Sequence, residues 1–173
     1  MTRATPVSVT LRVNGRSVTQ EAGGHLTLLR WLRENSDALD PKYACGEGIC
    51  GACTVLVDGE TVSACVVLAA QVDGAEITTA AGLLDADGGL SDLQDSFHRH
   101  HAAQCGFCTP GMLMCASAML ADGTAGSREE IREGLHGNLC RCTGYQQIVD
   151  AIEECATSGA GGAIGADPVT RPA

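Results

Sequence analysis

Ten cysteines stand in this chain, and eight of them fall into two groups. The first is Cys45-Gly-Glu-Gly-Ile-Cys50-Gly-Ala-Cys53, followed by Cys65, a C-x4-C-x2-C…C pattern in which three thiolates share one loop. That is a spacing at which four thiolates hold a [2Fe–2S] cluster. Gly46, Gly48 and Gly51 let such a loop bend sharply enough for backbone N–H groups to converge on the sulfurs. Structural zinc usually takes its ligands as two close pairs, so the spacing favours iron–sulfur and leaves zinc as the lesser reading. The second group is Cys105-Gly106-Phe-Cys108 with Cys140-Arg-Cys142. These are two pairs, which by spacing alone suit either a [2Fe–2S] cluster or zinc, and a lone C-x-x-C also suits a redox dithiol. Two centres in one short chain would make an electron relay.

The remaining candidates read as structural. Cys115 and Cys155 fall inside helical patterns, Cys115 amid Met112, Leu113, Met114 and Met119, and are expected to be buried small hydrophobes. His98 and His101 are three apart and so could share a metal, but with His100 they fall at a helix end, where solvated histidines are common. A Rieske centre needs two histidine ligands that no C-x-H pair supplies. No phosphate-cradling loop, nucleophile elbow or zinc-protease motif is present, and no carboxylate pair stands out for acid–base work. The catalytic set on this chain is therefore expected to be empty.

The elements that must hold the cysteines can be read in order. Residues 7–13 alternate apolar and polar, then meet Asn14-Gly15 and a β-prone stretch at 17–19, which predicts a hairpin. Thr27 caps a predicted helix over 28–35, packed on a sheet through Leu28, Trp31 and Leu32. Residues 54–57, the turn Asp58-Gly59 and residues 61–65 predict a second hairpin that carries Cys53 into Cys65. Residues 75–79 read as a last strand. The expectation is a small mixed sheet crossed by one helix, with the cysteine loop at an edge.

From about residue 80 the pattern turns helical. Ser91 caps a helix over 92–101, Thr109-Pro110 opens one running to about Ala121, and Ser127-Arg-Glu-Glu130 fits a capping box for a third ending near His136-Gly137. Residues 145–155 give a fourth, with Ile148, Val149 and Ile152 on one face. The second cysteine group thus lies in the turns before the second and fourth of these helices. The expected divisions are 6–80, 81–156 and a Gly/Ala/Pro-rich tail over 157–173, disordered or contacting a partner.

Composition narrows the setting. Aromatic content is 3%, with Trp31 the single tryptophan, so each half has a thin core that a bound inorganic centre would staple. The start lacks an apolar signal region and no run approaches a membrane span of about eighteen apolar residues, so reduced thiols and a cytoplasmic location are expected. A net charge of −10 with scattered basic residues argues against nucleic acid and anionic membrane as partners.

Three stretches together, Lys42-Tyr-Ala-Cys45-Gly-Glu-Gly-Ile-Cys50-Gly-Ala-Cys53-Thr-Val, Gln104-Cys105-Gly-Phe-Cys108-Thr-Pro-Gly-Met112 and Gly137-Asn-Leu-Cys140-Arg-Cys142-Thr-Gly-Tyr145, closely resemble the iron–sulfur subunit of molybdenum hydroxylases, the xanthine dehydrogenase/aldehyde oxidase family. The resemblance covers about residues 6–156 and implies an α+β chain, a plant-ferredoxin-like β-grasp domain followed by an all-α four-helix bundle, each holding a [2Fe–2S] cluster. It implies Cys45, Cys50, Cys53 and Cys65 as ligands of the cluster nearer FAD. Cys105, Cys108, Cys140 and Cys142 would hold the one nearer molybdenum, Gln104 and Cys142 would approach the pterin, and Gly46, Gly48, Gly51 and Gly106 would shape the cluster loops. The implied partners are a large subunit with a molybdopterin-dinucleotide cofactor and a medium subunit with FAD, as a heterotrimer or its dimer. The implied reaction is oxidative hydroxylation of an N-heteroaromatic or aldehyde substrate. The other readings are a free ferredoxin-type carrier, a zinc-stabilised module, and the small subunit of a related CO dehydrogenase or aryl-CoA reductase. Ala44 stands where many relatives have glycine, and the tail beyond Thr157 has no placeable counterpart.

Overall fold

The computed structural model describes residues 6–85 and 87–159. Strands β1 (Pro6–Val13) and β2 (Arg16–Gly23) pair antiparallel around Asn14-Gly15, with Val13 opposite Arg16. Asn14 and Gly15 both take positive φ, 48° and 78°, as the tight turn demands. β2 runs to Gly23, beyond the expected 17–19, because pairing with β1 carries polar Gln20 and Glu21 as strand residues. The second hairpin joins β3 (Thr54–Val57) and β4 (Glu60–Ser63) through Asp58-Gly59. The short strand β5 (Glu76–Thr78) lies parallel to β1 and antiparallel to β3, giving a mixed five-stranded sheet in the order β2-β1-β5-β3-β4.

Helix α1 (Leu28–Asn35) begins where Thr27 Oγ1 accepts the Arg30 N–H at 3.4 Å. Eight residues are too few for a helix to persist alone in water, so burial must hold it. Leu28, Leu29, Trp31 and Leu32 are all 0% exposed, against Val9, Leu11, Val55 and Ile77 of the sheet. Each contributes about 1.5–3 kcal/mol relative to exposure. The period-two alternation of β3 then divides two cores: Val55 belongs with α1, and Leu56 with the helices that follow.

Four helices form the later part: α2 (Asp92–Arg99), α3 (Thr109–Ala121), α4 (Arg128–Gly134) and α5 (Gln146–Ser158). Ser91 and Gln94 close a capping box on α2. α2 ends short of the expected 101, since His101 turns to φ 52°. Pro110 occupies the first turn of α3, whose missing N–H costs nothing there. Met112, Met114 and Ala116 are 0% exposed, so α3 is the central helix, packed on β3 as well as its neighbours. At α4, Ser127 Oγ accepts the Glu130 N–H at 3.2 Å and donates to the Glu130 carboxylate at 2.9 Å; α4 stops at Gly134, ahead of the expected end.

Polar ties bind α2, α4 and α5. Ser96 donates to the Ala151 carbonyl at 2.9 Å, Arg99 pairs with Glu154 at 2.6 Å, and Arg128 holds Asp150 at 2.6 Å together with Glu153. α5 continues through Ser158, two residues into the span expected as tail, and closes on left-handed Gly159. The rest of that tail lies outside the described residues. Among the described residues, no helix is long and apolar enough to cross a membrane.

Candidate metal centres

The loop between α1 and β3 carries Cys45, Cys50 and Cys53, and Cys65 follows β4. Gly46, Gly48 and Gly51 all have positive φ, between 68° and 73°, so the loop coils in a way that L side chains resist. That coiling aims amides inward. The Glu47 N–H donates to Cys45 Sγ at 3.4 Å, and the amides of Cys50 and Ile49 assist, so the Cys45 thiol falls to about 6. Cys53 and Cys65 are 2% and 7% exposed within the sheet core. Burial pushes Cys53 up to about 12, because its thiolate has no cation beside it among the groups that shift it. Cys50 lies close enough to Cys45, and Cys65 to Cys53, to contribute to their shifts.

The second group is built on helix starts. Cys105 and Cys108 precede α3, and Cys140 and Cys142 precede α5. Cys142 Sγ lies 3.5 Å from Cys105 Sγ, and Cys140 is near enough to Cys108 to help raise it. The Phe107 amide, with help from Cys142, lowers the Cys105 thiol, whereas burial drives Cys108 up to about 12. Burial raises Cys140 too, but the Thr143 hydroxyl and amide outweigh it and the net shift is downward. Gly106 has φ 76° and open space around it. Cys105, Cys142 and Gln104 are exposed, on the outer side of this site.

The two groups touch through backbone. The Leu139 N–H, one residue before Cys140, donates to the Cys50 carbonyl at 2.9 Å. Beside that bond sits Asn138, 3% exposed, whose Nδ2 donates to the Gly51 carbonyl at 3.2 Å. Cys115, expected as an inert core residue, is only half-buried and donates to Asn138 Oδ1 at 2.9 Å. Tyr145 accepts the Cys140 N–H at 2.9 Å and donates to the Asn138 carbonyl at 3.0 Å. The residue stretch Gly137-Asn-Leu-Cys140 contained this junction, but nothing local distinguished Asn138 from an ordinary turn asparagine.

The donor set fits a binuclear cluster. Each site offers four free thiols, the number that a [2Fe–2S] cluster takes, two for each iron. Thr109, directly after Cys108, has a buried Oγ1 without a hydrogen-bond partner, a donor left over beside the second site. The histidines are not brought together on a metal: His98 and His101 are exposed, and His100 Nε2 meets Glu154 at 2.8 Å. Cys155 is buried, as expected, with its thiol toward the Asp92 carbonyl.

Known proteins agree with this chemistry. The 2Fe-2S iron-sulfur cluster binding domain family matches residues 11–83, and the [2Fe-2S] binding domain family matches residues 79–153. The nicotine 6-hydroxylase small subunit of Paenarthrobacter nicotinovorans is 49% identical over 146 residues, spanning 84% of this chain and 87% of that protein. The xanthine dehydrogenase iron-sulfur-binding subunit of Escherichia coli O157:H7 is 44% identical over 162 residues, 90% of this chain and 98% of its own. In the solved structure of quinoline 2-oxidoreductase from Pseudomonas putida 86, one chain superposes with a TM-score of 0.86 at 43% identity, covering 91% of this chain and 97% of that one. Four thiols in each of two sites, two matching domain families and relatives of nearly full length lead to one statement: this chain belongs to the family of small [2Fe–2S] subunits of the molybdenum hydroxylases.

Proposed function

We propose that this chain relays electrons within a heteromeric molybdenum hydroxylase, from a molybdopterin centre through its own two clusters to FAD. The observation that carries the reading is the pair of four-thiol sites joined by one backbone hydrogen bond, Leu139 N–H to the Cys50 carbonyl. Each cluster, when bound, supplies a one-electron carrier. Cys45, Cys50, Cys53 and Cys65 would hold one, in a ferredoxin-like β-grasp domain over 6–80. Cys105, Cys108, Cys140 and Cys142 would hold the other, in a four-helix bundle over 81–156. Inward amides of Glu47, Phe107 and Thr143 would offset negative charge on the sulfurs. Gly46, Gly48, Gly51 and Gly106 would shape the loops.

The helical site is the entry. Its exposed members, Cys105 and Cys142 with Gln104, would face the pterin of a large subunit; the sheet site would face FAD on a medium subunit. The complex would be a heterotrimer or its dimer, acting on an N-heteroaromatic or aldehyde substrate. Substrate chemistry would fall to the partner that carries the molybdopterin.

Anaerobic purification of the complex followed by metal and sulfide analysis tests this. About four irons and about four labile sulfides per chain are expected, two of each per cluster, with molybdenum and flavin on co-purifying chains. Stoichiometric zinc, or an isolated chain that donates electrons by itself, would overturn it.

A further inference from the structure

The junction between the two cysteine sites is closed by two close backbone approaches and one side chain. A Cβ on Gly111, in the first turn of α3, would overlap the Gly51 carbonyl oxygen. A Cβ on Gly51 would overlap the Gly137 carbonyl and lie 2.6 Å from Asn138 Cγ. Backbone from the sheet-site loop, from the start of α3 and from the approach to Cys140 therefore meets with no room for side chains. Asn138 fills what remains. The Gly51 carbonyl also accepts the Thr54 N–H at 3.1 Å and the Thr54 hydroxyl at 2.8 Å, both from its own loop, so Asn138 is the side chain that ties this oxygen to the second site. The Asn138 Oδ1 takes the Cys115 thiol, and its carbonyl takes Tyr145, which in turn holds the Cys140 amide. The Asn138 side chain thus joins the residue after Cys50 to Cys115 of α3, while its backbone carbonyl reaches the Cys140 amide through the Tyr145 hydroxyl. A buried polar network whose members are all satisfied rigidifies its surroundings, and one missing member loosens it.

We propose that Asn138 is a positioning residue that fixes the separation and relative orientation of the two cluster sites, and so their electronic coupling. The inference rests on the two-cluster reading above. Its position explains the choice of amide: only a side chain with both a donor and an acceptor can serve the Gly51 carbonyl and the Cys115 thiol together. Aspartate is the same size but lacks the donor, and its charge would face the Gly51 oxygen.

The test uses the purified complex carrying Asn138→Ala or Asn138→Asp, reduced with dithionite and examined by low-temperature EPR. Two cluster signals and full iron and sulfide content in the unaltered complex establish the two-cluster reading independently; their absence there would defeat that reading and not this one. The expected result is that Asn138→Asp keeps both clusters while losing the resolved splitting that two nearby paramagnets impose on each other, with slower transfer between them in rapid-mixing experiments. Asn138→Ala should behave alike, or lose one cluster that Asn138→Asp retains. Cys115→Ser, which keeps a donor for Oδ1, should leave the splitting in place. Unchanged splitting and transfer in fully loaded variants would overturn the proposal. So would loss of a cluster in both variants, because Asn138 would then shape a ligand loop and not the spacing.

Discussion

The two cysteine sites solve one problem by opposite means. The sheet site takes three of its thiols from a coiled loop and sets Cys53 and Cys65 in the same core as Trp31 and Leu28. The helical site takes two thiols from each of two helix approaches, with Cys105 and Cys142 left at the surface. The first has two thiols buried in a hydrophobic core, whereas the second has two half-buried against a core and two at the surface. The lesson is about dependence. Losing the metal from a core site disturbs folding, whereas losing it from a surface site chiefly disturbs what docks there.

The largest expected effect divides the sites outright. Cys53→Ala should abolish one EPR signal and lower the unfolding temperature of the chain, while Cys105→Ala should abolish the other signal and leave the sheet intact by circular dichroism. Loss of the same signal in both would erase the comparison. Next come the glycines. Gly111→Ala forces a methyl into the Gly51 carbonyl and should destabilise by about 1–3 kcal/mol, as overpacking does. Gly106→Ala meets open space and should cost about 1–2 kcal/mol, the strain of its left-handed backbone alone. Urea unfolding of the two variants reads the difference. A smaller effect is expected at the α2 cap, where Ser91→Ala should cost about 1 kcal/mol without touching either EPR signal.

The smallest effect concerns pH and only the helical part. Arg99, with Ser96 and His100, lowers the Glu154 carboxyl from 4.5 to about 2. A depressed carboxyl contributes stability above its unfolded value and loses it as pH falls through the folded one. The tie between α2 and α5 should therefore weaken between pH about 4.5 and about 2, and Glu154→Gln should flatten that part of an acid titration. Both partners are substantially exposed, so added salt should shrink the effect.

Legibility followed the range of the interaction. Asn14-Gly15, Asp58-Gly59, the Thr27 and Ser91 caps and Thr109-Pro110 each announce an element through neighbours within four residues, and each element formed, though β2, β4 and α2 differ from the expected ranges. The grouping of eight cysteines was legible for the same reason. Helix ends were less so, since His101 and Gly159 stop or extend a helix by a backbone angle that periodicity does not register. The parallel pairing of β1 with β5 carries no local mark at all. Neither does the junction at Asn138, where Gly51 and Gly111 are sixty positions apart in sequence and in contact in space. Cys115 shows the same limit: apolar neighbours on its helix suggested an inert thiol, yet its partner lies on another segment.

The Asn14 side chain accepts the Thr79 N–H at 2.9 Å and donates to the Thr79 hydroxyl at 3.0 Å, and the Asn14 backbone N–H donates to the Ile77 carbonyl at 2.9 Å. A Cβ on Gly82 would collide with it. On the ribosome this contact has a timetable. The turn is made first, but its clamp arrives 65 residues later, together with the strand that completes the sheet. At about 5–20 residues per second, Cys45 through Cys65 are all synthesised before the fold that encloses them can shut. The nascent chain thus presents its first cysteine group in an open frame, and the last strand latches behind it.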